Sequence, residues 1–204
     1  MIGYKRLFNV YELAKTAIDN KIEGDFAECG VWKGGSTAVM GFLAQKEGKN
    51  RKTWLFDSFE GLPEPTEKDG FLAKSYSGDK NSGKLESINK CVGLLEDVEK
   101  IFFEILKLKK ENIIIEKGWF QDVLPDAKKK MGKIAVLRLD GDWYESTKCC
   151  LENLYDNVTI GGYIIIDDYG DWEGAKKALD IFFIERNIKP ELIKIDHTGV
   201  YFKK

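Results

Sequence analysis

Residues 133–142, KIAVLRLDGD, form an apolar run that ends in acidic residues. Continuous apolar runs of this kind are typical of parallel strands that helices cover on both faces. The alternation of such runs with segments of helical periodicity predicts an α/β fold with a Rossmann-like, doubly wound and mostly parallel sheet. The predicted strands are residues 25–31, 53–57, 112–116, 133–140 and 159–168.

Helices are predicted where apolar residues recur at a spacing of three to four. An amphipathic helix opens the chain within residues 1–24, and a second runs from Gly34 to about Gln45. Further helices are indicated by the apolar residues of three later segments. These are residues 91–105, 147–154 and 172–182.

Two short runs after Pro190, residues 191–195 and 198–202, are predicted to form a C-terminal antiparallel pair at the edge of the sheet. Residues 58–83 are the one long irregular stretch, rich in Gly, Pro and charged residues. Loops of this length in a compact domain are commonly lids or binding loops, so we expect a mobile lid, with a passive solvated insertion as the alternative. The chain length suits a single domain, residues 1–204.

Composition and charge limit the function classes. The net charge is −2 and no basic block is present, so we expect no nucleic-acid partner. No apolar run approaches the length of a membrane span, and the N-terminal residues are amphipathic rather than a signal core. We therefore expect a cytoplasmic protein with no membrane partner, and self-association into a homo-oligomer stays open.

Histidine and cysteine usage limits the chemistry further. His197 is the only histidine, which excludes a multi-histidine metal site and leaves a Ser-His-Asp triad only if His197 supplies it. The four cysteines form no C-x-x-C pair, and reduced structural thiols are predicted. Any metal would be held mainly by oxygen, and a general base would be Asp, Glu, Lys or Tyr.

A glycine-rich segment, residues 28–37 (ECGVWKGGST), follows the first strand. Its glycines allow a tight turn, and the next helix offers free N–H groups to an anion. The spacing differs from G-x-G-x-x-G and suits a smaller anion, such as the carboxylate of an amino-acid-like cofactor, although a purely structural turn is equally compatible.

Asp57 closes the second strand, where an acid can accept both hydroxyls of a ribose; a turn cap formed with Ser58 is the alternative.

Acidic residues follow the fourth and fifth strands. Asp140 and Asp142 end the fourth run, and Asp167 and Asp168 end the fifth. Because neighbouring strands are about 4.8 Å apart, these carboxylates converge and repel one another unless a cation joins them. Oxygen ligands select a hard cation such as Mg²⁺. Capping of helices or turns accounts for one or two of these acids, but not for the full set.

An aromatic pair, Trp119-Phe120, follows Gly118 after the third strand. This places the pair where an adenine would lie in such a sheet. Packing of the sheet rim explains the pair equally well.

Four blocks of the sequence carry a family resemblance. They are residues 28–36 (ECGVWKGGS), 55–63 (LFDSFEGLP), 139–147 (LDGDWYEST) and 161–169 (GGYIIIDDY). Together they resemble the macrocin O-methyltransferase (TylF-like) family over nearly the whole chain, in order, and a more distant resemblance links the chain to catechol O-methyltransferase. The resemblance implies a class I methyltransferase fold and an S-adenosylmethionine- and Mg²⁺-dependent enzyme that methylates sugar hydroxyls.

The resemblance also implies roles for particular residues. The metal, Mg²⁺ or Mn²⁺, would be bound by Asp140, Asp167 and Asp168. The resemblance implies cofactor contacts from Glu28, Gly30, Ser36, Asp57 and Ser58, with Trp119 and Phe120 near the adenine, and we expect Thr37 and Asp140 to contribute as well. From the chemistry of the reaction we expect the metal to chelate vicinal oxygens of a sugar or glycoside acceptor and to lower the pKa of the hydroxyl, while Asp140 or Asp142 takes the proton.

Two other functions fit parts of the sequence. A nicotinamide-dependent sugar oxidoreductase shares the glycine segment and the acid after strand two, and Tyr144 and Lys148 have its Tyr-x-x-x-Lys spacing. The acids around Asp140 have no role in that chemistry, and G-x-G-x-x-G is missing. A non-catalytic nucleotide- or sugar-binding subunit is the third hypothesis.

Overall fold

A seven-stranded sheet forms the centre of the molecule in the computed structural model, which describes residues 2–204. The strand order is β3-β2-β1-β4-β5-β7-β6, and the first five strands are parallel. The order reverses between β1 and β4, which is the place where ligands bind in open α/β sheets. The strands are β1 Asp25–Cys29, β2 Thr53–Asp57, β3 Ile113–Lys117, β4 Ile134–Leu139, β5 Val158–Ile166, β6 Ile193–Lys194 and β7 Val200–Lys203.

Helices cover the sheet on both faces, as the doubly wound prediction requires. On one face α1 and α2 pack against alternate residues of the central strands, and α4 packs beside α2. On the other face α5, α6 and α7 enclose the largest apolar core. The helices are α1 Tyr4–Asp19, α2 Gly35–Glu47, α3 Gly70–Tyr76, α4 Leu95–Glu99 with a π-helical continuation over Lys100–Ile105, α5 Phe120–Lys130, α6 Tyr144–Leu154 and α7 Glu173–Glu185.

The structure confirms the predicted α/β fold, and each of the first five strands lies within two residues of its predicted bounds. The C-terminal antiparallel edge pair is also present, because β7 pairs with β5 and with β6 in antiparallel register. No helix formed by residues 2–204 is long and apolar enough to cross a membrane.

Two helices were not predicted. Helix α5 has apolar residues Phe120, Val123, Leu124 and Ala127 at helical spacing, but it also contains Pro125, which lacks the N–H that helix interiors require. Its buried residues pack against the sheet, and this packing outweighs the proline.

The 58–83 segment differs from the irregular loop that its composition suggests. It contains a turn of 3₁₀ helix, Glu67–Asp69, followed by α3. Thr66 and Asp69 form a capping box, in which Asp69 accepts hydrogen bonds from the backbone N–H of Thr66 at 2.7 Å and from its hydroxyl at 2.8 Å. Asp69 is buried and also accepts the backbone N–H of Tyr144 at 2.5 Å, so the segment is fixed to the start of α6.

Candidate active site

A cavity of about 410 Å³ opens at the carboxyl ends of the parallel strands, around the reversal between β1 and β4. Its wall combines the loops after β1, β2, β3, β4 and β5 with residues of α1 and of the 58–83 segment. The predicted site residues that line it are Gly30, Ser36, Asp57, Ser58, Trp119, Phe120, Asp140, Asp142, Asp167 and Asp168.

Gly30 brings the ends of β1 and β4 into contact. Its φ is +89°, and a Cβ atom built on it would lie 1.8 Å from the backbone oxygen of Asp140. The backbone N–H of Asp140 in turn donates to the carbonyl of Cys29 at 2.8 Å. Only glycine fits this position, because any side chain would push the glycine segment away from the acidic loop.

Asp57 fixes the glycine segment. One of its carboxylate oxygens accepts the backbone N–H groups of Val31 at 2.7 Å and Trp32 at 2.8 Å, and the other accepts that of Phe59 at 2.7 Å. Asp57 therefore has the turn-capping role that was the alternative to ribose binding. Asp57 nevertheless lines the cavity, and its second oxygen keeps a lone pair for a ligand.

Glu28 and Thr37 differ from the expectation of direct cofactor contact. Both are fully buried, and neither lines the cavity. The Glu28 carboxylate accepts hydrogen bonds from the hydroxyls of Ser36 and Thr37 and forms an ion pair with Arg138. Burial raises the pKa of the Glu28 carboxyl to about 7, against the opposing effect of Arg138. These residues support the floor of the cavity.

Arg138 is the buried cation beneath the site, and the sequence analysis missed it. Its guanidinium pairs with Glu28, with Asp140 at 2.9 Å and with Asp167, and it is 1% exposed. These carboxylates hold the pKa of Arg138 well above its usual value in spite of burial. A signal was available, because Arg138 is the only charged residue in the buried strand β4 and a buried charge must be paired.

Asp167 lies between two arginines. Arg138 donates to one of its carboxylate oxygens, and Arg6 of α1 donates to the other. Arg6 also pairs with Asp196 at 3.1 Å, on the loop before β7. A cation bound by Asp167 would therefore lie next to two arginines, whose positive charges oppose its binding.

Three carboxylates converge at the cavity, and one of them, Asp140, also pairs with Arg138. One oxygen each from Asp140, Asp142 and Asp168 lies within 4.8 Å of the others. Burial and the mutual repulsion of these groups raise the pKa of Asp142 and Asp168 well above the usual value, and burial also raises that of Asp140, which Arg138 opposes. The converging set thus contains Asp142 where the prediction had Asp167.

The aromatic pair Trp119-Phe120 lies in the cavity wall, at the start of α5. A second group of aromatic residues, which the sequence analysis did not identify as functional, lies beside the acids. Trp172 lines the cavity and donates its indole N–H to Asp142 at 2.8 Å. Trp143 packs edge-on against it, with ring centroids 4.9 Å apart.

This strand order, with its antiparallel β7 and a cavity at the sheet reversal, defines a class I methyltransferase. The profile of the macrocin-O-methyltransferase (TylF) family matches residues 1–204. The chain belongs to this family and is an S-adenosylmethionine-dependent O-methyltransferase. The oxidoreductase and the non-catalytic subunit are therefore set aside; Tyr144 is buried and does not line the cavity.

Similar proteins methylate natural products. Demethyldecarbamoylnovobiocin O-methyltransferase of Streptomyces niveus is 40% identical, with an alignment covering 100% of this chain and 75% of that protein. The 8-demethyl-8-(2,3-dimethoxy-alpha-L-rhamnosyl)-tetracenomycin-C 4'-O-methyltransferase of Streptomyces olivaceus is 35% identical, covering 100% of this chain and 74% of that protein. The solved structure of the O-methyltransferase NovP superimposes with a TM-score of 0.84 at 36% identity, over 100% of this chain and 81% of that one.

Proposed function

We propose that this enzyme transfers the methyl group of S-adenosylmethionine to a hydroxyl of a sugar or another vicinal diol, with the help of bound Mg²⁺ or Mn²⁺. The observation that carries the proposal is the convergence of Asp140, Asp142 and Asp168 within 4.8 Å, in the same cavity as the glycine segment and Asp57. The name of the Streptomyces olivaceus relative includes a rhamnosyl group, which supports a sugar acceptor.

The donor set fits a hard divalent cation, because it consists of carboxylate oxygens with no nitrogen or sulfur among them. Asp140 and Asp168 would hold the cation, and Asp167 would join them with a lone pair that Arg6 and Arg138 leave free. The cation would supply a positive charge that lowers the pKa of an acceptor hydroxyl and orients two vicinal oxygens.

Asp142 is the proposed general base. Asp140 is engaged by Arg138, whereas Asp142 accepts only the indole N–H of Trp172 on one oxygen. The proton of the acceptor hydroxyl passes to the other oxygen of Asp142. The hydroxyl oxygen forms a bond to the methyl carbon, and the carbon–sulfur bond breaks with its electron pair left on sulfur, which yields a methyl ether and S-adenosylhomocysteine.

Donor binding is assigned to the other half of the cavity. Asp57 offers a lone pair to the ribose, and Gly30, Ser36 and Ser58 surround that position, with Trp119 and Phe120 on the adenine side. The free N–H groups at the start of α2 donate hydrogen bonds to the carboxylate of the methionine part. Glu28 and Thr37 act from beneath, by holding Ser36 and Arg138 in place.

The function is tested with methyl α-L-rhamnopyranoside as the probe acceptor, together with the acceptors of the two relatives. The protein is incubated with S-adenosylmethionine and Mg²⁺, and mass spectrometry measures methylated product and S-adenosylhomocysteine. A methyl ether on one acceptor hydroxyl is expected. Methylation on nitrogen or carbon, or no product from any of these acceptors, would contradict the proposal.

Asp57→Ala is expected to weaken binding of S-adenosylhomocysteine by about 10- to 100-fold, since each hydrogen bond to a charged group contributes about 1.5–3 kcal/mol. Titration calorimetry measures the affinity. Asp25→Ala is the matched control, because Asp25 accepts the backbone N–H of Lys52 at 3.0 Å and the indole of Trp54 at 2.9 Å at the opposite end of the sheet. If the two variants bound S-adenosylhomocysteine with equal affinity, Asp57 would not be a ligand of the methyl donor.

We also propose that the 58–83 segment acts as a lid. The part of it that is fixed to α6 stays in place, and the hinge lies outside this part. Asp69 and Pro63 are fixed to the start of α6, since Tyr144 donates to Asp69 and the Trp143 indole donates to Pro63 at 2.9 Å. The bonds of residues 78–83 run within the segment itself, from the backbone N–H of Gly83 to the carbonyl of Pro65 at 3.0 Å and from Lys80 to Glu64 at 3.3 Å. We expect cleavage by trypsin at Lys80 to slow when S-adenosylhomocysteine and acceptor are bound; equal rates with and without ligands would indicate a passive insertion.

A further inference from the structure

Asp142 is held from two directions by residues that follow β5. Its backbone N–H donates to Asp168 at 3.0 Å, and its carboxylate accepts the indole N–H of Trp172 at 2.8 Å. Its φ is +57°, in the left-handed region that non-glycine residues adopt only when their surroundings require it. The loop after β5 therefore determines in which direction the Asp142 carboxylate points from the loop after β4.

The ring of Trp172 is itself fixed by aromatic contacts. Trp143 packs edge-on against it at 4.9 Å between centroids, and Tyr76 of α3 lies on another side at 5.5 Å. Trp143 is 1% exposed, and its own indole N–H donates to Pro63. The indole of Trp172 cannot rotate without disturbing the anchored part of the 58–83 segment.

The Asp142 carboxylate needs a donor of this kind. Asp140 and Asp168 present carboxylate oxygens within 4.8 Å of it, and their repulsion favours rotation of Asp142 away from them. A neutral N–H at 2.8 Å opposes that rotation and occupies only one oxygen. The second oxygen stays available, and Asp142 lines the cavity.

We propose that Trp172 is a positioning residue, which orients the carboxylate of Asp142 for proton removal and joins that orientation to the position of α3. This inference rests on the proposed function of Asp142 as general base. The indole acts through Asp142 and takes no part in the transfer of the proton or of the methyl group.

The kinetic test compares Trp172→Phe with Trp54→Phe. Each change removes an indole N–H bonded to an aspartate, at 2.8 Å for Trp172 and 2.9 Å for Trp54, and keeps an aromatic ring. Trp54 lies in the core and does not line the cavity. With methyl α-L-rhamnopyranoside, or whichever acceptor the wild-type enzyme methylates, kcat of Trp172→Phe is expected to fall about 10- to 100-fold with KM for S-adenosylmethionine unchanged.

An NMR measurement tests the contact without any acceptor. In ¹⁵N-labelled protein the indole signal of Trp172 is expected to move in Asp142→Ala, while that of Trp54 stays in place. A Trp172 signal that does not move, or a kcat of Trp172→Phe equal to that of Trp54→Phe, would overturn the positioning role. Wild-type protein that methylates no acceptor would contradict the proposed function instead, and the NMR result would then decide whether Trp172 holds Asp142.

Discussion

Asp142→Asn is expected to lower kcat for methyl transfer by about 10²- to 10⁴-fold, the usual contribution of a positioned general base. The amide keeps the size of the side chain and can still accept the indole N–H of Trp172, but it cannot take a proton from the acceptor. Initial rates of S-adenosylhomocysteine formation measure the effect. Binding of S-adenosylhomocysteine should be unchanged, since Asp57 and the glycine segment lie on other strands.

Asp171→Asn is the control for this variant. Asp171 is an exposed acid in the same cavity wall, so its loss removes a nearby negative charge without removing the base. If the two variants lost the same fraction of kcat, the effect would be one of local charge, and Asp142 would not be the base.

Removal of the divalent cation is expected to abolish turnover. A chelator should stop product formation, and Mg²⁺ or Mn²⁺ should restore it, because an alcohol at neutral pH is a poor nucleophile without a nearby positive charge. Asp168→Asn is expected to weaken Mn²⁺ binding by at least about 100-fold, since even residues that only support metal ligands contribute 10- to 100-fold. Calorimetric titration with Mn²⁺ measures this affinity directly.

The same titration identifies the third ligand. Asp167→Asn should weaken Mn²⁺ binding, whereas Asp142→Asn should leave it nearly unchanged. The opposite ranking would make Asp142 the ligand, as its place in the converging set allows, and would leave Asp167 as a partner of Arg6 and Arg138 alone. Full activity of the wild-type enzyme in chelator would remove the metal from the mechanism.

The sheet could be predicted from sequence because its strands are buried on both faces and read as apolar runs. The helices that were missed carry conflicting local signals. Pro125 and the lysines after it obscure the apolar spacing of α5, and α3 has only seven residues. Its position depends on the contact between Asp69 and the start of α6, which joins residues far apart in the sequence.

The site could be predicted only as far as strand ends determine it. Asp57 ends β2, Asp140 follows β4 directly and Asp168 lies two residues after β5, so their position at one edge of the sheet follows from its parallel strands. The positions of the arginines that neutralise these acids do not follow from the sheet. Arg6 comes from α1 and reaches Asp167 across the sheet edge, and no local pattern predicts that pairing. The sequence pattern predicts Trp172 as an apolar position of a helix. In the structure it precedes α7, and its indole N–H donates to Asp142.

The closeness of Gly30 and Asp140 limits how this enzyme could be redesigned. In the proposed site, the turn after β1 on the donor side touches the loop after β4 that carries Asp140 and the proposed base Asp142, with no room for a single added carbon between Gly30 and Asp140. A larger acceptor could require the ends of β1 and β4 to move apart. That movement would separate the two reactants and would also disturb the proposed binding site of the methyl donor. New acceptor preferences are therefore to be sought around Tyr76 of the 58–83 segment and in the first turn of α1, where Tyr76 and Arg6 reach the cavity from outside the sheet.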